Sequence, residues 1–328
     1  MDKLRIWVDF DPEVVDVSGL KAHFGSDPRF EYIAKRIESH EEAMKMAETC
    51  DFVINTHDYL GLDEFKRLEG KVKMVIRYGT GYDKIDVKAA TACGIPFANT
   101  PGANAAPVAE LALMHMIICS RNFMKSNRGI KPGAFPNFSG REIDGKTVGL
   151  VGFGNVARNL VRMLKGFDVK IVAYDAFIND RIKDYAKENN VTLVDSIEDI
   201  FKLSDIISLH IPATKETEKS INKRLFDMAH DGIILINTCR GKIVDEADLA
   251  AALKSGKVAA AGLDVLYDEP PKEDCPLLGL DNVSLSGHIG GSTYEAEMRT
   301  QKLIADTVEG FLKGEFTFNV INKNEIRR

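Results

Sequence analysis

Cysteine is scarce and unpatterned. Five thiols (Cys50, Cys93, Cys119, Cys239 and Cys275) lie scattered along 328 residues with no C-x-x-C pair. An odd number at such spacing suggests neither a disulfide framework nor a zinc cage. No run of about 18 apolar residues occurs, and the first residues lack the apolar stretch of a secretory signal. The expectation is therefore a cytoplasmic protein with reduced thiols and no membrane partner. A basic excess is missing too. Lys plus Arg number 43 against 49 Asp plus Glu, a formal net charge of −6, which argues against a chain that tracks nucleic-acid phosphates. Internal repeats, low-complexity tracts and flexible linkers are absent, as are H-E-x-x-H and clustered Cys/His sets, so no catalytic metal is expected. What remains is ordinary globular composition, 45% hydrophobic and 28% charged, at a length that suits two domains.

Short β-rich runs alternate with helical patterns almost end to end, the signature of parallel sheets with crossover helices. A first set of strands is expected over residues 5–10, 51–56, 74–78 and 95–99, with helical stretches such as 40–48 between them. A second set starts at Thr147 and continues over 169–174, 206–211, 232–238, 259–265 and 283–286. Between the sets, residues 104–122 form a helix with Pro107 in its first turn and apolar residues nearly all round, so it should be buried on several sides, between domains or subunits. Residues 128–140 read as a surface loop. Ser292-Thr293-Tyr294-Glu295 reads as a capping box, opening a helix whose Ala296, Ile304, Val308, Phe311 and Leu312 share one face and which Gly314 ends. That helix should return the chain to the first domain. The fold class is α/β, with two doubly wound parallel-sheet domains: a discontinuous one, 1–100 plus 293–328, and one inserted within it, 101–292.

The buried-strand pattern Thr147–Val151 leads into Gly152-Phe153-Gly154-Asn155-Val156-Ala157 and then an amphipathic helix over 158–166. This is G-x-G-x-x-A in strand-turn-helix context. Gly152 permits the tight turn, Gly154 lets backbone approach a pyrophosphate, and Ala157 lets the helix sit close to the sheet. The helix N-terminus offers free N–H groups to phosphates. The next strand ends at Asp175, whose carboxylate can accept from ribose hydroxyls and repels a 2′-phosphate. NAD, rather than NADP, is the expected cofactor. A second G-x-G, at Gly79 and Gly81, has Lys84 at the third small position and fails as a phosphate fingerprint.

Three polar residues follow strand ends in the second half: Arg240, Glu269 and His288. Open α/β sheets bind ligands beyond the carboxyl ends of their strands, so the three can converge on one crevice. Arg240 offers a permanently charged fork for a carboxylate or keto oxygen. His288 is the group suited to protonate a carbonyl as hydride arrives, and Glu269 would favour its imidazolium. His57, His115 and His210 have no matching acid and base arrangement.

The chain resembles the D-isomer-specific 2-hydroxyacid dehydrogenase family over nearly its whole length. The resemblance is carried by Arg77-Tyr78-Gly79-Thr80-Gly81-Tyr82-Asp83-Lys84-Ile85-Asp86, Asn99-Thr100-Pro101-Gly102, Val108-Ala109-Glu110 and His288-Ile289-Gly290-Gly291-Ser292-Thr293, in that order. It implies Arg240, Glu269 and His288 as catalytic trio, a flavodoxin-like substrate domain, a Rossmann NAD-binding domain, a hinge and a homodimer. It also implies that Arg77, Tyr78, Gly79, Thr80 and Gly81 bind the substrate, the backbone N–H groups of Tyr78 to Gly81 holding its carboxylate, with Thr80 near the nicotinamide. Cofactor contacts are implied for Thr80, Asn104, Val108, Gly152, Gly154, Asn155, Val156, Asp175, His210, Ile211, Pro212, Thr217, Thr238, Cys239, Arg240, Asp264, His288 and Gly290.

Two positions depart from the family pattern: Gly287 stands where proline usually precedes the catalytic histidine, and Cys239 where Ala or Ser is common. A redox-sensitive Cys239 would need a lowered thiol pKa. Arg77 and the His-Ile-Gly-Gly-Ser-Thr run are similar to 3-phosphoglycerate dehydrogenases, yet the loop Asn55-Thr56-His57-Asp58 lacks their basic residue, and the length leaves no room for a regulatory domain. Glu269 in place of Gln argues against the formate dehydrogenase branch. The expected activity is NAD-dependent interconversion of a small 2-keto acid and its D-2-hydroxy acid. The alternatives are 3-phosphoglycerate oxidation and an NAD-binding regulatory protein resembling the family's corepressor branch.

Overall fold

The computed structural model of the chain describes residues 3–13, 16–55 and 59–326. It divides into one unit of Met1–Asn104 with Ser292–Arg328 and another of Ala105–Gly291, where the sequence suggested changes of domain after residues 100 and 292.

The first unit runs through β1 (Leu4–Val8), α1 (Ser18–Leu20), β2 (Phe30–Ala34), α2 (His40–Ala47), β3 (Phe52–Asn55), α3 (Leu62–Leu68), β4 (Met74–Arg77), α4 (Val87–Ala92) and β5 (Phe97–Ala98). All its strands pair in parallel, in the order β2-β1-β3-β4-β5, which is the flavodoxin-like arrangement. Continuous apolar runs make these strands because both faces are covered: every residue of β3 is buried, as are Ile6, Trp7 and Val8 of β1. Trp7, Val53, Phe65 and Phe97 pack on one face of the sheet, and Ile6, Phe52, Ile54 and Ile304 on the other. Ser39 and Asp86 cap α2 and α4 by accepting from the Glu42 and Ala89 amides. Thr56, His57 and Asp58, on which the expectation about a missing basic residue rests, lie outside the described residues.

The second unit begins with α5 (Ala105–Ser120) and α6 (Phe123–Gly129). It continues through β6 (Thr147–Val151), α7 (Asn155–Leu164), β7 (Lys170–Tyr174), α8 (Asp180–Glu188), β8 (Val191–Leu193), α9 (Ile197–Leu203) and β9 (Ile206–Leu209). The rest is α10 (Lys223–Met228), β10 (Ile233–Asn237), α11 (Glu246–Ser255), β11 (Val258–Leu263) and β12 (Val283–Leu285). Its parallel sheet has the order β12-β11-β10-β9-β6-β7-β8, so the winding reverses between β6 and β9. Such a switch point opens a crevice at the carboxyl ends of the strands. Within this unit α5 packs against α7 and the β10 to β12 side of the sheet. Ala109, Ala112, His115, Met116 and Cys119 are buried there, while Met114 (40%) and Ile117 (41%) remain exposed on the other face.

The last helix, α12 (Tyr294–Leu312), belongs to the first unit. Its cap is Thr293, in extended conformation, whose side chain accepts from the Ala296 amide, one position later than the expected box on Ser292. Ala296, Ile304 and Val308 are buried, and Gly314 follows the end with φ +80°. Beyond it the chain reinforces β5, with the Ile321 amide donating to the Phe97 carbonyl at 2.8 Å.

Candidate active site

At the switch point, Gly152 leaves β6 with φ +94° and donates its N–H to the Tyr174 carbonyl at 2.8 Å. A Cβ here would lie 2.5 Å from the His210 carbonyl oxygen, so both conformation and space demand glycine. Gly154 is the extended residue before α7, with open space where its side chain would be, and α7 starts at Asn155. The Asn155 carboxamide oxygen accepts from Arg158 at 2.8 Å, and Val156 is half-buried. Asp175, at the end of β7, accepts from the Phe153 amide at 2.7 Å on one oxygen and from Phe177 at 2.9 Å on the other. Its carboxylate therefore shapes the glycine turn while keeping lone pairs for hydroxyl donors. Opposite the turn, both ring nitrogens of His210 are buried without a partner among the described residues, and burial pushes its imidazole down to about 4. Thr238 Oγ1 is another buried, unpartnered polar atom. Orphaned polar atoms beside a side-chain-free turn at a helix N-terminus fit a dinucleotide. Ile211 and Pro212 continue from His210, whereas Thr217 Oγ1 is already engaged, donating to the Pro212 carbonyl at 2.7 Å and accepting from the Thr214 amide at 2.7 Å.

Farther along the same sheet edge stand the three chemical candidates. His288 Nδ1 and Glu269 Oε2 are 2.7 Å apart, and the other Glu269 oxygen accepts from the Leu266 amide at 3.1 Å. The hydrogen bond to Glu269 raises the His288 pKa above its ordinary value, outweighing burial and the nearby positive Arg240. For Glu269, burial pushes upward, but the His288 bond and charge prevail and hold its carboxyl below the usual range. His288 Nε2 has no protein partner among the described residues. Arg240 follows β10 in extended conformation, and its guanidinium donates to the Cys239 carbonyl at 2.7 Å. Asn237 pins this corner by donating to the Arg240 carbonyl at 2.9 Å.

Cys239 is half-buried and packs against the core of the second unit. Its Sγ lies 3.1 Å from Asn237 Oδ1, and burial pushes its thiol up to about 11, the opposite of what redox sensitivity requires. Asp264, just past β11, is 2% exposed and accepts from the Ile289 amide (2.9 Å), the Gly290 amide (2.8 Å) and Ser286 Oγ (2.6 Å). Val108 and Leu111 of α5 close on Gly290 from the other side.

Sequence reasoning dismissed His115, which the fold places behind this corner: its ring nitrogens lie 3.2 Å from Ser284 Oγ and 3.0 Å from Ser286 Oγ. The available signal was a histidine in an apolar helix together with two serines two residues apart, one in β12 and one just past it.

The substrate-loop candidates lie in the first unit. Two of the four expected amides are already spent there: Tyr78 donates to the Asn55 carbonyl at 2.9 Å and Gly79 to Thr100 Oγ1 at 3.0 Å. This corrects the expectation that the whole loop offers its backbone, because the last carbonyl of β3 and the hydroxyl of Thr100, just past β5, take the first pair. The Thr80 and Gly81 amides make no hydrogen bond among the described residues. Arg77 Nε donates to the Gly81 carbonyl at 3.0 Å, so this arginine shapes the loop from within. Asn99 holds the Thr80 carbonyl at 2.8 Å, and Thr80 Oγ1 donates to Asn104 Oδ1 at 2.9 Å.

Comparison with known proteins agrees with this geometry. Residues 113–290 match the NAD binding domain of D-isomer specific 2-hydroxyacid dehydrogenases. The chain is 35% identical to a glyoxylate reductase of Korarchaeum cryptofilum over 99% of this chain and 98% of that one. It is 41% identical to a D-3-phosphoglycerate dehydrogenase of Archaeoglobus fulgidus over 76% of its own length but 47% of the other's. The chain thus spans about half the length of the D-3-phosphoglycerate dehydrogenases it matches first, 47% and 56%. Among solved structures, a glyoxylate reductase from Paecilomyes thermophila superposes with a TM-score of 0.87 at 26% identity, covering 98% of this chain and 100% of that one. The chain belongs to the D-isomer specific 2-hydroxyacid dehydrogenase family, and its second unit carries the family's NAD-binding domain.

Proposed function

We propose that this chain is an NAD-dependent oxidoreductase that interconverts a small 2-keto acid and the corresponding D-2-hydroxy acid. The observation that carries the reading is the 2.7 Å pair of His288 and Glu269 within an NAD-binding unit. When bound, the cofactor supplies or accepts the hydride. In the second unit, His288 holds a proton on Nε2 for the carbonyl oxygen and takes it back in the oxidative direction. Glu269 fixes the ring through Nδ1 and keeps the imidazolium populated at higher pH. Arg240 offers a planar, positively charged fork to the carboxylate or keto oxygen. In the first unit, the free Thr80 and Gly81 amides are assigned to the substrate carboxylate. Gly152, Gly154, Asp175, His210 and Thr238 are assigned to the dinucleotide, with Asp175 favouring an unphosphorylated ribose.

A homodimer in the cytoplasm completes the proposal. The exposed Met114 and Ile117 on α5, together with exposed Phe123, Ile130 and Phe135, support a self-associating face. The 41% identity to a D-3-phosphoglycerate dehydrogenase supports one alternative, a phosphorylated substrate. NADH oxidation assayed with glyoxylate, hydroxypyruvate, pyruvate, branched and aromatic keto acids and 3-phosphohydroxypyruvate separates the readings. Turnover on unphosphorylated acids is expected. Turnover on 3-phosphohydroxypyruvate alone would favour the alternative, and tight NADH binding without any turnover would favour a regulatory protein.

A further inference from the structure

His115 is fully buried, hydrogen-bonded at both ring nitrogens, and unused by the proposed reaction. Its bonds can be given a direction. Ser286 Oγ lies 2.6 Å from Asp264 Oδ1, and a carboxylate only accepts, so the serine proton points at Asp264. Ser286 must then receive its 3.0 Å bond from His115 Nε2–H. With the proton on Nε2, His115 Nδ1 accepts from Ser284 Oγ at 3.2 Å. Three hydrogen bonds run one way, from Ser284 through His115 and Ser286 to Asp264. Burial lowers the His115 pKa, in keeping with the neutral tautomer this order requires. Gly262 of β11 makes room for the ring, since a Cβ there would lie 2.5 Å from His115 Cβ.

Asp264 is where this chain of bonds meets the loop of His288. Its side chain accepts the Ile289 and Gly290 amides, and its carbonyl accepts the His288 amide at 2.8 Å. The loop needs such anchoring. His288 has φ +55°, a conformation that is costly for a non-glycine residue and persists only where its surroundings over-determine it. Gly287, exposed and free of contacts at its missing Cβ, adds no stiffness of its own.

We propose that His115, Ser284 and Ser286 are positioning residues: a one-way hydrogen-bond relay that aims the Asp264 carboxylate at the 288–290 loop and so holds the His288 ring against Glu269. The relay supplies the rigidity that Gly287 does not. The inference rests on the reading of His288 as the acid.

The test is an NMR titration of the full chain labelled with 15N-histidine, combined with steady-state kinetics. In the wild type, His115 should carry its proton on Nε2 and His288 should titrate above its ordinary value. Ser286→Ala and His115→Leu should move the His288 midpoint down and lower kcat by roughly ten- to a hundredfold, the scale of a small misplacement. Ser286→Thr, which keeps the hydroxyl, should restore both. An unchanged His288 midpoint in Ser286→Ala, or a His115 proton on Nδ1, overturns the relay, and so does a Ser286→Thr variant that behaves like alanine. Should His115→Leu fail to fold, Ser286→Ala alone breaks the same link. A wild type inactive on every keto acid would overturn the functional reading, while the titration would still decide the relay.

Discussion

The His288–Glu269 pair sets the pH behaviour expected of the site. His288 has a raised pKa in the folded chain, so its paired, protonated form is complete below the ordinary imidazole value of 6.5 and is lost as pH rises through the folded value. Glu269 is depressed, so its contribution is present above the ordinary 4.5 and is lost as pH falls through its folded value. Keto-acid reduction should therefore hold steady between the two and decline on the alkaline side. Glu269→Gln removes the main cause of the histidine shift, and the alkaline decline in kcat should move toward 6.5 or below. A decline that stays in place would show that Glu269 does not govern the acid. Both side chains are more than a third exposed, so the pair should matter far more to protonation than to folding. At this scale the sequence was legible where motifs fix a role, as at Gly152, and blind where burial decides. Cys239 looked ambiguous until its surroundings raised the thiol, and His115 was dismissed because its serine partners are 169 and 171 residues away.

Among the elements, the β6 to α7 turn demands glycine on two counts. Gly152→Ala must place a Cβ against the His210 carbonyl in a conformation that L-residues avoid. NADH affinity should fall at least tenfold, about 1.4 kcal/mol, while far-ultraviolet circular dichroism stays native. Unchanged affinity by calorimetry would mean that the dinucleotide does not approach this turn. Long apolar runs announced β1, β3, β6, β9 and β10. The edge strands β2 and β8 escaped notice because Phe30–Ala34 is only half-covered and Val191–Leu193 is three residues long. The cap of α12 slipped by one residue because Ser292 and Thr293 are both capping types, and only the backbone distinguishes them.

For the whole molecule, the C-terminal return of the chain is a structural requirement of the first unit. Asn322, 1% exposed, accepts from the Phe97 amide at 2.9 Å and donates to the Ile95 carbonyl at 3.0 Å, tying the last described residues to β5. Asn322→Ala leaves both backbone groups buried without that partner and should cost about 2–4 kcal/mol, seen as a lower midpoint in urea unfolding. A loss under about 0.5 kcal/mol, the size of an ordinary surface substitution, would show that this closure is dispensable. The discontinuous arrangement was legible from the apolar face of α12. The polar asparagines that fasten it were not, since nothing in their spacing marks a buried partner. A net charge of −6 gives an anionic substrate no general attraction, so the proposed function requires local positive groups such as Arg240 to recognise it. The most direct test of the account compares wild type with His288→Gln on the best 2-keto acid, measuring kcat and NADH affinity together. The account predicts a loss in kcat of about 10²–10⁴-fold with NADH affinity nearly unchanged. Equal losses in both, or an undiminished kcat, would contradict it.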